Sequence, residues 1–155
     1  MVSYGIYVIQ LGMVYLMIEY KIPGSWVRGF STARVASECS NGPTPGYRLG
    51  AALYSGSNLL SIGFNDWYRT GPWSVRGLYN GNLHAEIMAL LKRRYYDNPG
   101  NLILYVSRTV TDKHHTVFNP GCSRPCNFCM KAIILAGVKK VRFFDENAKA
   151  MEIKL

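Results

Sequence analysis

The chain has 155 residues, 48% hydrophobic, 13% aromatic and 17% charged, which fits one domain with a substantial core and excludes a disordered or repeat-built chain. Its formal net charge of +9 favours anionic partners, nucleotides or nucleic acid, without choosing between them. Four cysteines are too few for a disulfide scaffold.

Residues 1–22 read as an apolar N-terminal extension and residues 23–155 as the main domain. Residues 2–18 carry no charge, but no basic residue precedes the run and no cleavage site is evident, unlike a standard signal peptide. With Ser3, Gln10 and Gly12 inside it, the run is marginal as a membrane span. Three readings stand: an extra strand or helix packed on the domain, a weak anchor, or a start-site artefact in which Met13 or Met17 opens the working protein. The first and third are preferred, because the rest reads as a complete soluble domain, and no membrane partner is expected.

Residues 25–39 read as a helix capped by Ser25, with Trp26, Phe30, Ala33 and Cys39 as its apolar positions. The run from Asn41 to Gly46, with two prolines and two glycines, then breaks the chain. Tyr47–Tyr54 and Leu59–Phe64 read as two strands of a hairpin turning at Ser55-Gly56-Ser57-Asn58. Asp66 to Asn82 reads as one long loop carrying Trp67, Tyr68, Arg69, Trp73, Arg76 and Tyr79. Leu83, Ile87, Leu90 and Leu91 fall at helical spacing behind Asn82 as N-cap. Lys92-Arg93-Arg94 closes that helix, where positive charge suits the C-terminal dipole better than it argues for a nucleic-acid patch.

Leu102–Val106 reads as a buried strand, and residues 107–121 as a strand extension or hairpin. The next helix has Pro125 in its first turn, an apolar face of Cys126, Cys129, Met130, Ile133 and Ile134, and Gly137 as its C-cap. Lys139–Phe144 and Met151–Leu155 are the last strands. Only a short turn separates them, too little for a crossover, so they must pair antiparallel. A leading hairpin followed by helix-linked strands implies an α/β chain with a mixed sheet.

Two short motifs carry chemistry. His84-Ala85-Glu86 opens one helix, and Pro125-Cys126-Asn127-Phe128-Cys129 opens another. One imidazole and two thiols are good ligands for Zn²⁺, and three protein ligands leave a fourth position open. Helix N-termini favour thiolates, and Cys126 and Cys129 at i and i+3 share a face. A closed four-ligand structural site using Cys122 is the competing reading, though a nearby free thiol suits Cys122 better. His114 and His115 are adjacent, so their side chains point apart in an extended segment, as exposed or binding-surface residues.

In this order, with proline before the first cysteine, the motifs resemble those of the cytidine deaminase superfamily of zinc-dependent CMP/dCMP-type deaminases. The resemblance runs from about Ser25 to the end. It implies a three-layer α/β/α sandwich around a mixed five-stranded sheet, here with an antiparallel C-terminal hairpin. That hairpin is similar to those of free-cytidine deaminases and some viral and bacterial-toxin deaminases. The run Cys122-Ser123-Arg124-Pro125-Cys126 resembles viral and phage deaminase domains.

By the same resemblance, His84, Cys126 and Cys129 hold one zinc per chain, and Glu86 is the acid/base. Asn65 contacts sugar or base, and the Ala85 N–H bonds the pyrimidine O2; a turn asparagine is the plain alternative for Asn65. Trp67 can stack on a base and Arg69 can hold phosphate, or their loop can pack on itself as a lid. Arg124, where nucleoside and nucleotide deaminases often carry a small residue, is a candidate phosphate contact. The implied reaction converts a cytosine nucleoside or nucleotide to its uracil form and ammonia. Single-stranded DNA or RNA is the alternative substrate, and a non-catalytic zinc domain the third reading. A cytoplasmic location, host cytoplasm if the protein is viral, and a homo-oligomer are the further expectations.

Overall fold

The computed structural model describes residues 2–11, 14–41, 48–70, 82–93, 100–111 and 118–155. Met13, the turn-rich run 42–47, Trp73, Arg76, Tyr79, His114 and His115 lie outside them. Val2–Leu11 (β1) and Val14–Pro23 (β2) pair antiparallel in a two-stranded sheet of their own, with Leu11 opposite Val14. A 3₁₀ turn, Gly24–Trp26, leads into α1, Val27–Glu38. Ser25 therefore sits inside the turn rather than capping the helix. Trp26 holds the cap position without a side-chain bond, and the Val27 N–H bonds back to the Gly24 carbonyl.

Arg48–Ser55 (β3) and Asn58–Phe64 (β4) form the expected hairpin, and Gly56 supplies the positive φ of 58° that its turn needs. The segment read as one long loop instead begins and ends in strand. Asp66–Thr70 (β5) pairs with Asn82–Leu83 (β6), Asp66 opposite Leu83. Neither half alternates strongly enough to announce a strand; the pairing is non-local. Asn82 is thus a strand residue, and His84 takes the N-cap position of α2, Ala85–Lys92.

Leu102–Thr111 (β7) runs beyond its apolar stretch and pairs with Phe118–Gly121 (β8), so residues 107–121 are both a strand extension and a hairpin. Helix α3, Asn127–Leu135, and the strands Lys140–Phe144 (β9) and Ala150–Lys154 (β10) complete the chain. The large sheet has the order β10-β9-β7-β3-β4, with β8 added on β7. Only β7 and β9 run parallel; β9 and β10 are antiparallel, as their short connection requires. The expected mixed sheet is present, with β8 beyond its five strands.

The period-two alternation of the strands builds two cores, one on each face. Ala52, Tyr54, Tyr105 and Phe144 meet Phe30 and Ala33 of α1. Ala51, Leu53, Leu104 and Val106 meet Ile87 and Met88 of α2 and Cys129 and Ile133 of α3. Small residues let the helices lie close. A Cβ on Gly50 would fall 2.0 Å from the Ala33 carbonyl oxygen of α1, and one on Gly63 2.1 Å from that of Ala85 in α2. Ser61 Oγ, donating to the Ala89 carbonyl at 2.6 Å, pins α2 to the β4 edge.

Two residues of the basic run at the end of α2 are used within the fold, and Arg94 lies outside the described residues. The Lys92 ammonium lies 5.2 Å from the centre of the Phe64 ring, and Arg93 donates to the Ala136 carbonyl at the end of α3. Among the described residues no helix is long and apolar enough to cross a membrane.

Candidate active site

The starts of α2 and α3 converge on the same side of the sheet. His84 is extended at the end of β6, so its ring projects while the next residue already begins the helix. Cys126 caps α3 with its own sulfur, which accepts the Cys129 N–H at 3.4 Å. Pro125 therefore lies just outside the helix, not in its first turn. His84 Nδ1 is 3.3 Å from Cys129 Sγ and 3.8 Å from Cys126 Sγ. These three donors lie within 4.8 Å of one another, and Cys122 is not part of the group.

The approach to α3 is fixed by a residue that the sequence pattern does not flag. Ser123, 1% exposed, donates its Oγ to the Val106 carbonyl at 2.8 Å and accepts the Phe144 N–H at 2.9 Å. It bridges the parallel strands β7 and β9 where they diverge, and so sets the loop that delivers Arg124 and Cys126.

Glu86 is 2% exposed, and its Oε2 has no hydrogen-bond partner among the described residues. Burial pushes its carboxyl above the ordinary range; bonds from its own N–H and from Cys129 only partly offset this. Burial also pushes the Cys129 thiol up, and neighbouring Glu86 and Cys126 add to the effect. The His84 ring is held below its ordinary value, again by burial, and so is neutral near pH 7. Two thiols, Cys129 buried and Cys126 exposed, a neutral imidazole and an orphaned carboxylate oxygen form a corner that a cation would stabilise. The donor set fits zinc, with borderline-soft N/S ligands and only three of them from the protein.

The corner opens on a cavity of about 230 Å³ lined by Leu49, Asn65, Trp67, Asn82, His84, Ala85, Arg124 and Cys126. The sequence matches the model of the cytidine and deoxycytidylate deaminase zinc-binding region over residues 28–145, most of the chain. The chain belongs to the cytidine and deoxycytidylate deaminase family. A cytidine deaminase from Burkholderia pseudomallei superposes with a TM-score of 0.57 at 18% identity, covering 82% of this chain and 90% of that one, and shares the fold. The apo dCMP deaminase of cyanophage S-TIM5 superposes with a TM-score of 0.51 at 26% identity, covering 77% of this chain and 82% of that one. No curated protein matches the sequence.

Within this deaminase fold, Asn65, Ala85, Trp67 and Arg124 all reach the cavity. Asn65 is 6% exposed, and its Oδ1 accepts the Leu49 N–H at 2.8 Å. Its side chain thus ties two strand ends together rather than folding onto its own backbone. Trp67 lines the cavity, with its indole N–H buried and without a partner among the described residues. Arg124 is exposed at the cavity and in no salt bridge among the described residues.

Arg69 is not in the lining. It is exposed, with Nε 3.4 Å from Asp66 Oδ2. Tyr68 likewise points outward, 81% exposed. Sequence reasoning missed Leu49 and Asn82 as lining residues. The one signal for Asn82 was its place just before His84; Leu49 carried none, being one apolar residue among many.

Proposed function

We propose that this chain is a zinc-dependent hydrolytic deaminase that converts a cytosine nucleoside or nucleotide (cytidine, deoxycytidine, CMP or dCMP) to the uracil form and ammonia. One observation carries the reading. A three-ligand donor set stands beside a cavity, with a buried carboxylate two residues from the histidine. The likeness to a phage dCMP deaminase supports a cytosine compound as substrate.

His84 Nδ1 and the Cys126 and Cys129 sulfurs would hold the zinc, which when bound would supply a Lewis acid and a water acidified to roughly 7. Glu86 moves the protons. Its Oε2 takes one from the attacking water and passes it to ring N3, then delivers another to the leaving amine. Desolvation raises the affinity of Glu86 for that proton, which suits a shuttle. The Ala85 N–H, at the start of α2, donates to the pyrimidine O2. Asn65, its Oδ1 already committed to Leu49, presents a fixed amide to the sugar or base. The Trp67 ring offers a stacking face.

Among the described residues, the cavity lining contains Arg124 and no carboxylate. A pocket of that charge favours a nucleotide, whose phosphate Arg124 can meet, over the free nucleoside. The test is ammonia release by zinc-loaded protein across cytidine, deoxycytidine, their monophosphates and a single-stranded oligonucleotide, at low and high salt. Release from the monophosphates with weak salt dependence supports the proposal. A steep loss of oligonucleotide activity with salt would transfer the function to polynucleotide. Zinc-loaded protein inert on all five would leave a non-catalytic zinc domain.

A further inference from the structure

Two consecutive residues beyond the end of α1 reach across to one wall of the cavity. Ser40 Oγ donates to the Asn65 carbonyl at 3.0 Å. Asn41 uses both ends of its amide: Nδ2 donates to Asp66 Oδ1 at 2.8 Å, and Oδ1 accepts the Trp67 N–H at 2.9 Å. Asn65, Asp66 and Trp67 are consecutive, and the outer two line the cavity. Asn41 itself does not.

We propose that Asn41 is a positioning residue for substrate selection, a two-point clamp on Asp66 and Trp67 that fixes the Trp67 wall of the cavity against a cytosine nucleotide. The inference rests on the deaminase reading of the site. Two bonds from one planar amide fix both the place and the rotation of the segment they grip. The segment needs this, because β5 and β6 pair irregularly, with Asp66 opposite Leu83 and Thr70 opposite Asn82.

The clamp also manages charge. Asp66 is a buried carboxylate beside a cavity that meets an anion, and Asn41, the Tyr68 N–H and Arg69 turn its charge away from that cavity. A simple folding role fits less well. Asn41 is exposed, so truncating it opens no cavity and uncovers no apolar surface.

The experiment compares Asn41→Ala with the parent protein in two settings. Ammonia release gives kcat and KM, and calorimetry in a Glu86→Gln background gives the Kd for dCMP and deoxycytidine without turnover. Losing two modest hydrogen bonds should raise KM and Kd about tenfold, with kcat and zinc content close to the parent's and a modest fall in Tm, because the Asp66 carboxylate loses a partner. The exchanged pair, Asn41→Asp with Asp66→Asn, moves the donor to the other partner and keeps an acceptor for the Trp67 N–H, at the cost of the Tyr68 N–H bond to Asp66 Oδ1. It should recover at least half of the loss.

Unchanged KM and Kd in Asn41→Ala would overturn the proposal. So would a loss confined to kcat, a fall in zinc content, or an exchanged pair no better than the single variant. If the parent binds these compounds but releases no ammonia, the deaminase reading fails while Kd still decides the clamp. If it binds none of them, both fail.

Discussion

His84, Ala85 and Glu86 reach the site on consecutive residues of one helix start, whereas the facing wall draws Leu49 from β3, Asn65 from the end of β4, Trp67 from β5 and Asn82 from β6. The donor corner is thus assembled from two local motifs, each oriented by the first turn of a helix. The wall has no motif; strand pairing and a clamp from the opposite layer hold it. The difference separates chemistry from selectivity. Local sequence supplies the donor set and the buried carboxylate, and the tertiary fold supplies the cavity wall that faces them.

Breaking the donor corner should give the largest effects. Glu86→Gln should keep zinc, as metal analysis would show, and lower the rate of ammonia release by about 10²–10⁴-fold or more, the usual weight of a general acid/base. Retained turnover would remove Glu86 from the mechanism. Chelating the metal should destabilise the fold as well as stop turnover. At a thousandfold excess of zinc over its Kd the linkage is about 4 kcal/mol, a Tm shift on the order of 10 °C that differential scanning calorimetry can read.

Two glycines pull the regions apart. Gly63→Ala would push α2 off β4, since the new Cβ would meet the Ala85 carbonyl oxygen at 2.1 Å and the Ala89 nitrogen at 2.5 Å. Gly50→Ala would push α1 off β3 on the other face, against the Ala33 carbonyl oxygen at 2.0 Å. Each should cost about 1–3 kcal/mol in urea unfolding, the range for overpacking. Zinc affinity should fall in the first, which disturbs His84. KM should rise in the second, which moves the helix that leads into Asn41.

Smaller effects belong to the wall. Arg124→Ala should raise KM for a monophosphate about tenfold and leave the free nucleoside unchanged; equal losses on both would place Arg124 in general packing. Asp66 predicts an acid dependence. Its carboxyl is held below the ordinary range, chiefly by Asn41, so the folded chain binds that proton less readily than the unfolded one. The stability it contributes is complete above the ordinary value of ~3.9 and is lost as pH falls through the lowered folded value. Asp66→Asn should therefore flatten the acid limb of Tm against pH, and an unchanged limb would show that Asp66 does not set it.

The sequence by itself determined the elements whose signals are local. The 27–38 helix, the β3–β4 hairpin and the antiparallel final pair follow from periodicity, turn residues and connection length. The donor set was legible for the same reason, since each half lies within four residues and opens a helix. Only the tertiary structure decided that Asp66–Thr70 meets Asn82–Leu83, that Arg69 turns to Asp66, and that Ser123 and Asn41 hold the cavity loops. Those are hydrogen bonds and ion pairs between side chains and backbone made mostly across non-local contacts. A one-dimensional pattern shows that such residues are polar, and folding chooses their partners.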